Sequence, residues 1–462
     1  MKIPQHATRI GLISACCVFT AVSCSSLPSS APADLPQQSG QVQLANSRGP
    51  LSIKQSKAIL EPLRRRFGDS DLLGRHIAVE EAVVGRPLLV GNQVSLLIDG
   101  PATYQAMFSA IEAARDHINL ETYIYEDDEL GRKVAEMLLA KQAQGVQVNL
   151  IYDSVGSINT PRAFFDRLRD AGIRVLEFNP VNPLKARKGW ELNSRDHRKL
   201  LVVDGETAFL GGINISGVYS RGSFARSSGD KDKTPWRDTH LRIQGPAVAE
   251  FQRLFLETWQ KQKGEALAAR KYFPPLAQKG PELVRALGSA PDAEHSVNYL
   301  TLLSAIDSAS DHISITNAYF VPDRQLLNAL KQAARRGVQV KLILPGTSDF
   351  WATYHAGRSR YAELLAAGVR IFERRGALLH AKSAEIDGVW SCVGSTNLDW
   401  RSFLHNNEVD AAVLGSGFAS QMQAMFQRDL QSSDEIIASQ WSRRSLLMRI
   451  KEAGARIWQY WL

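Results

Sequence analysis

His197-Arg-Lys-Leu-Leu-Val-Val-Asp204 and His380-Ala-Lys-Ser-Ala-Glu-Ile-Asp387 are one short pattern, H-x-K-x-x-x-x-D, written twice in a chain of 462 residues. A second cluster follows each copy: Gly211-Gly-Ile-Asn214 after the first, Gly394-Ser-Thr-Asn397 after the second. The glycine trails its aspartate by seven residues in both. A single motif this short carries little weight, because such patterns recur by chance. Two copies with matched tails are much rarer, and they point to one chemistry borne on two related scaffolds.

Around the motifs the doubling extends further. The stretch YQAMFSAIEAARDHINLETYIYEDD from Tyr104 is similar to YLTLLSAIDSASDHISITNAYFVPD from Tyr299, and each contains an alternating apolar run with a tyrosine, Tyr123 and Tyr319. A helical segment then ends at QAQGVQVNLIYD (142–153) and again at QAARRGVQVKLILPG (332–346). The chain is therefore an internal duplication of roughly 170 residues per half, enough for each copy to bury a core. Period-2 strands alternate with period-3.6 helices, which predicts an α/β fold. Strands are expected near 118–124, 146–152, 173–178, 199–204 and 207–210, with counterparts near 313–319, 338–344, 369–372, 382–387 and 389–393.

On an extended strand, residues two apart share a face, so His197 and Lys199 point the same way, as do His380 and Lys382. Asp204 and Asp387 lie five positions beyond their lysines and have the opposite parity; a structural role at the strand end suits them. An imidazole beside an ammonium, supplied twice, makes a cationic pocket with two proton-transfer groups. Such a pocket suits a phosphodiester. Lysine and asparagine side chains bind non-bridging oxygens as charge develops, while one histidine attacks phosphorus and the other protonates the leaving oxygen.

These residues resemble those of the phospholipase D superfamily, and the similarity covers both halves. Within it, LETYIYEDDELG, FLGGINIS, NAYFVPD and VGSTNLDWRSF look like bacterial cardiolipin synthases. The resemblance implies two duplicated α/β sandwich domains packed with pseudo-two-fold symmetry around one shared active site. It also implies a covalent phosphohistidine and neither metal nor cofactor. It makes His197, Lys199, Asp204, His380, Lys382 and Asp387 the catalytic set. His197 is the nucleophile and His380 the general acid and base, with the near-symmetry leaving an exchange of roles open. Lys199, Lys382, Asn214 and Asn397 hold the phosphate. An acidic residue orients each imidazole: Glu408 in HNNEVD for His380, and Asp238 in WRDTH for His197. The implied reaction joins two phosphatidylglycerol molecules into cardiolipin and glycerol. Alternatives are a hydrolase giving phosphatidic acid, a nuclease, and a catalytically silent lipid-binding scaffold.

Bland readings stand beside these. A lone histidine two residues before a lysine on a strand is usually a surface or satisfied core residue, and the glycines are also ordinary turn residues. His240 and His405 flank the expected carboxylates and are read as non-catalytic. The run Lys185-Ala-Arg-Lys188 is either a solvated face or a steering patch for anionic lipid. The Gly-, Ser- and Lys-rich loop 221–235 has the composition of a flap.

A formal charge of +8 suggests an anionic partner, a lipid surface or nucleic acid. Anionic phospholipid and a membrane surface are the expected partners, nucleic acid is not, and the oligomeric state is open. Three of the four cysteines fall in the first 24 residues, leaving Cys392 alone in the body, where no disulfide can form. Lys2 and Arg9 precede an apolar run, Ile10–Val22, that is short for a membrane span and has the layout of a signal peptide. It ends Ala21-Val22-Ser23-Cys24, similar to a bacterial lipobox. Residues 1–24 are thus expected to be a lipoprotein signal with lipidation at Cys24, ordinary cleavage or an uncleaved anchor being the alternatives. The protein would then sit in a bacterial cell envelope, lipid-anchored and facing the periplasm. Residues 25–50 have tether composition. The first duplicated domain is expected over 51–270, with a helix through Arg64-Arg65-Arg66, and the second over 271–440. Residues 441–462 form a basic amphipathic helix, with Leu447, Ile450, Ile457, Trp458 and Trp461 near one face and Arg443, Arg444, Arg449, Lys451 and Arg456 flanking. Such a helix lies either in a headgroup region or on the protein's own core.

Overall fold

All ten strands expected from alternation form, each within two residues of its expected bounds, in the computed structural model, which describes residues 42–67, 72–182, 191, 193–223, 234–291 and 296–459. In the first half the sheet runs Arg174–Phe178, Gln147–Asp153, His117–Thr122, Lys199–Val203, Thr207–Gly211, Thr239–Gln244, Leu89–Ile98. In the second half the same order recurs as Arg370–Arg374, Gln339–Pro345, His312–Asn317, Lys382–Ile386, Trp390–Gly394, Asn406–Leu414, Glu282–Ser289. The first three strands of each list are mutually parallel and the remainder antiparallel. Leu89–Ile98 meets Glu282–Ser289 in antiparallel register, so the halves join edge to edge. The repeated order about this joint is the pseudo-two-fold expected of the duplication.

Parallel neighbours need crossovers, and helices Glu129–Ala143 and Arg162–Asp170 in the first half, with Arg324–Arg335 and the pair Trp351–Arg358 and Tyr361–Ala366 in the second, supply them. Asp128 and Asp323, the last residues of the two matched stretches, cap the helices that follow. Asp128 accepts the Gly131 N–H at 2.8 Å, and Asp323 accepts those of Gln325 and Leu326 at 2.9 and 3.0 Å.

Two core clusters each belong mainly to one half. A third mixes Leu210, Leu241 and Phe255 of the first half with Val284, Val409 and Phe418 of the second. Helices Val248–Lys261 and Ser416–Gln431 both pack into it, so the halves share a core.

Several expectations are corrected. The tether does not extend to residue 50: Ala45–Asn46 pairs antiparallel with Gly49–Pro50, and Ala45 lies parallel to Leu89. The helix through the three arginines forms as Ile53–Phe67. It and the turns after it pack Leu60, Leu72, Leu73 and Ile77 into the second half's core with Leu303 and Leu330, although they precede the first repeat. A buried ion pair, Arg285 Nε to Glu80 at 3.1 Å, fastens the same segment to the second half. The helix expected over 441–462 forms as Leu446–Arg456, capped by the Ser445 hydroxyl, after a short helix Ala438–Trp441; Trp461 lies outside the described residues. Cys24, the signal run, the basic run at 185–188 and most of the 221–235 loop lie outside the described residues. None of the described helices is long and apolar enough to cross a membrane.

Candidate active site

Each histidine is placed by the opposite half. Arg195–Asp196, just before His197, pairs in parallel with Asn406–Asn407, and the His197 N–H donates to the Asn407 carbonyl at 3.0 Å. Leu378–Leu379, just before His380, pairs in parallel with Trp236–Arg237, and the His380 N–H donates to the Arg237 carbonyl at 2.8 Å. One residue further along each partner strand stands a carboxylate. The crossed pairing therefore delivers Glu408 to His197 and Asp238 to His380. Nδ1 of His197 lies 3.0 and 3.1 Å from the Glu408 oxygens, and Nδ1 of His380 lies 2.7 Å from Asp238. This exchanges the expected partners, Glu408 with His380 and Asp238 with His197. The expectation keeps each carboxylate in the repeat of its histidine, whereas the short strands swap across the pseudo-two-fold.

The carboxylates are themselves fixed. Glu408 accepts from the Ser395 hydroxyl at 2.5 Å and from Asn406 at 3.3 Å, and Asp238 accepts the Thr239 N–H at 2.7 Å. Gly211 sits at φ +153° with its Cα hydrogens against the Thr239 carbonyl and His240. At Gly212 an added Cβ would fall 2.1 Å from an Asp238 oxygen. The glycines after the first motif thus make room for the carboxylate strand as well as the turn.

Lys199 and Lys382 open their strands on the same face as the histidines, each donating back to the carbonyl of its own histidine. The four side chains are buried, and His197, His380, Asn214 and Asn397 face one cavity of about 420 Å³. Asn214 accepts the Ile124 N–H at 3.1 Å and donates to Tyr219 at 3.1 Å; the side-chain oxygen of Asn397 has no partner among the described residues. Asp204 and Asp387 are not in the cavity. They cap the far ends of their strands at φ 53° and 54° and accept backbone N–H groups there, which removes them from the expected catalytic set. His240 is buried outside the cavity, its basicity lowered to about 3 by burial, and His405 does not line the cavity either.

Burial, reinforced by Lys199 and Lys382, holds His197 well below the usual imidazole range. Burial and Lys382 also lower His380, with Asp238 opposing them. Lys199 is brought down to about 7 by burial and by Lys382, and Lys382 to about 8 by burial against the pull of Asp238 and Glu408. Burial raises Glu408 to about 7, whereas for Asp238 the adjacent His380 and Lys382 outweigh burial and hold it below the usual carboxylate range. One imidazole thus faces an ionised carboxylate and the other a weaker one.

Aromatic rings wall the cavity. The Tyr123 ring centroid lies 5.1 Å from that of His197, and Trp236 lies 5.3 Å from His380. Tyr219 reaches the His380 ring at 3.3 Å, and Tyr319 donates to Asp349 at 2.8 Å. Tyr219, Trp236, Asp349, Asp399 and Arg401 were not anticipated. At the matched positions the residue types differ between the repeats, Tyr219 against Ser402 and Trp236 against Asn406, so the doubling gave no signal for them. Arg198, between His197 and Lys199, faces away. It bonds Thr258 of the first half at 2.6 Å and the Glu408 and Ser289 carbonyls of the second at 3.1 Å, tying the motif to both.

The family described as cardiolipin synthase, PLD-like domain, matches residues 107–223 and again 302–430, one match to each half. The chain belongs to this family. The cardiolipin synthase of Alkalihalophilus pseudofirmus is 34% identical over 400 residues, spanning 86% of this chain and 77% of that one. Cardiolipin synthase A of Pseudomonas entomophila is 38% identical over 380 residues, 80% of this chain and 74% of its own. A solved phosphatidylserine synthase of Haemophilus influenzae shares the fold, with a TM-score of 0.61 at 14% identity over 84% of this chain and 100% of that one. In this member of the cardiolipin synthase family, both family matches contain an Asn of the Gly-x-x-Asn clusters, while Glu408 lies within the second match and Asp238 between the two.

Proposed function

We propose that the protein is a phosphatidyltransferase that joins two phosphatidylglycerol molecules into cardiolipin and glycerol. The observation that carries the proposal is the pair of imidazoles on one cavity, each with Nδ1 bound by a carboxylate of the other half. With Nδ1 so engaged, Nε2 of each ring is left for the substrate. The membership of the chain in the cardiolipin synthase family supports the choice of reaction.

In the first step His197 Nε2 attacks phosphorus. The P–N bond forms as the bond to the headgroup glycerol oxygen breaks, and His380 gives that oxygen its Nε2 proton. In the second step the hydroxyl of another phosphatidylglycerol gives its proton to His380, its oxygen bonds to phosphorus, and the P–N bond breaks. The assignment follows the different surroundings of the two imidazoles. Burial with Lys199 and Lys382 holds His197 neutral, and with its Nδ1–H donated to the ionised form of Glu408 the Nε2 lone pair is left for phosphorus. His380, beside ionised Asp238, is better placed to carry a proton. Lys199, Lys382, Asn214 and Asn397 hold the non-bridging oxygens as charge builds on them.

Full-length protein mixed with phosphatidylglycerol vesicles in chelator, beside His197→Ala, tests the proposal by lipid mass spectrometry. Cardiolipin and free glycerol in equal amounts, absent in the variant, are expected. Phosphatidic acid alone would make water the acceptor and the enzyme a hydrolase; no product would overturn phosphatidyl transfer from this donor. The signal-like run ending at Cys24 supports a bacterial envelope location with a lipid anchor facing the periplasm, and metabolic labelling with a fatty acid, lost in Cys24→Ala, is the matching check.

A further inference from the structure

The C-terminal helix Leu446–Arg456 is mounted with its apolar face outward. It packs along helix Trp351–Arg358 through Ala455, which is buried with Val321 and Ala356, while Glu452 is buried in an ion pair with Arg444 at 2.8 Å. At about 100° per residue, Leu446, Leu447, Ile450, Ile457 and Trp458 fall on the side away from these contacts. All five are more than half exposed, Ile457 the most at 79%. Trp351, which opens the helix beneath, and Phe350, which caps it, are also about half exposed, and Phe350 lines the catalytic cavity. An amphipathic helix on a protein core ordinarily buries its leucines; this one buries an alanine and shows its leucines to solvent.

Beside the helix is a second cavity, of about 560 Å³, lined by Arg324, Lys331, Arg360 and Arg456. Glu363 serves two of these cations, Lys331 at 3.1 Å and Arg360 at 3.4 Å. Arg324 and Arg456 have no ion pair among the described residues. Burial, then the charge of Arg456, lowers Arg360 from its ordinary value against the pull of Glu363, with Arg324 adding to the lowering; Asp323 also lines the cavity, its oxygens taken by the Gln325 and Leu326 N–H groups and the Tyr299 hydroxyl. Trp400 also lines this cavity, while its chain neighbours Asp399 and Arg401 line the catalytic one.

We propose that this helix and the adjoining basic cavity are a non-catalytic docking site for an anionic phospholipid bilayer, which seats the catalytic mouth on the membrane. The apolar side chains enter the acyl boundary, and the arginine cavity takes the phosphate of a lipid that is not being turned over. Charge favours a bilayer over a second copy of the chain. Arg443, Arg449, Lys451 and Arg456 rim the apolar face, and a two-fold contact would set those cations against their own images. The proposal rests on the reading of the substrate as a phospholipid, and its test is arranged so that the two fail separately.

Full-length wild type and Leu447→Glu/Ile450→Glu are compared on phosphatidylglycerol vesicles and on dihexanoyl phosphatidylglycerol dispersed as monomers. Both positions are in solvent, so folding is preserved. The variant is expected to lose vesicle turnover about tenfold or more, as removal of two inserted aliphatic chains implies, and to retain turnover of the monomeric lipid. Quenching of tryptophan emission by vesicles of brominated phosphatidylglycerol should fall in Trp458→Phe and weaken with phosphatidylcholine or high salt. This readout is local to the helix and is not mimicked by an anchor elsewhere. Equal vesicle turnover by the two proteins, equal loss on both substrates, or unchanged quenching in Trp458→Phe would overturn the proposal. So would a dimer in sedimentation that the double variant dissociates, because the face would then be a self-interface. If wild type turns over neither lipid while the Trp458 quenching persists, docking stands and phosphatidyl transfer fails.

Discussion

At the residue scale the site is governed by two buried carboxylates and the imidazoles they hold. Asp238→Asn and Glu408→Gln keep the shape of each pair but turn an acceptor into an amide that can leave the ring in the wrong tautomer. Each is expected to lower kcat by about 10²–10⁴-fold, with KM little changed, in steady-state assays at matched folded fraction. The lysines set the alkaline limit. In the proposed reaction their charge holds the phosphate, and burial brings them to about 7 and 8 in the free enzyme. A group that must be protonated loses function as pH rises through its pKa, so kcat/KM should decline between about pH 7 and 8. Bound phosphate draws both pKa values back up, so kcat should hold to higher pH; superimposable alkaline limbs would contradict this. The motif residues were legible because strand parity alone puts His197 with Lys199 and excludes Asp204. The carboxylate pairing was not, because it depends on Asn406–Asn407 and Trp236–Arg237 crossing between halves, and nothing local to either repeat encodes a swap. Tyr219 was missed because its counterpart, five residues past the other Gly-x-x-Asn asparagine, is Ser402, so the repeats share no residue type there.

At the scale of elements, the aspartates of the motifs act as clamps. The carboxylate of Asp204 accepts the N–H groups of Arg115, Asp116 and His117 at 2.8, 2.8 and 3.0 Å, where the strand His117–Thr122 begins. Asp387 does the same for Ser310, Asp311 and His312 at 2.8, 2.9 and 2.9 Å. Both stand in the left-handed region and are followed by glycines there, at φ 66° and 70°, so the hairpin tip is built to aim the carboxylate at the neighbouring strand. Asp204→Ala leaves three N–H groups short of a charged acceptor and removes a residue type that tolerates this conformation. It should cost about 2–4 kcal/mol, seen as a lower midpoint in urea. Because the clamp is at the end of the strand remote from His197, the folded variant should keep near-normal kcat; a collapse of kcat at full folding would return Asp204 to the catalytic set. Ten of the fourteen strands of the two sheet lists were legible from their apolar runs, but Leu89–Ile98, Thr239–Gln244, Glu282–Ser289 and Asn406–Leu414 were not. The last opens with Asn-Asn-Glu, a polar run that reads as loop, although Asn406 lines the site and Glu408 holds His197 there.

At the scale of the molecule, duplication suggests two units that fold alone, yet the packing opposes that. The third core cluster takes Phe255 from one half and Phe418 from the other, both fully buried, and the segment before the first repeat is packed into the second half. The sheets are joined through Leu89–Ile98 and Glu282–Ser289, and each histidine's carboxylate comes from across the joint. Neither half can therefore hold its imidazole, or close its core, without the other. Phe418→Ala is expected to cost about 3–5 kcal/mol and to lower the stability of both halves together. In urea, secondary structure by circular dichroism and turnover should be lost in one transition with a common midpoint in wild type and variant alike. Two resolved transitions, or one in which the variant moves a single half, would mean that the repeats fold independently and meet only at the active site. One transition would mean that evolution kept the duplicated scaffold but gave up its independence, because a phosphoryl group attacked from one side and released on the other needs both imidazoles fixed in a single rigid frame.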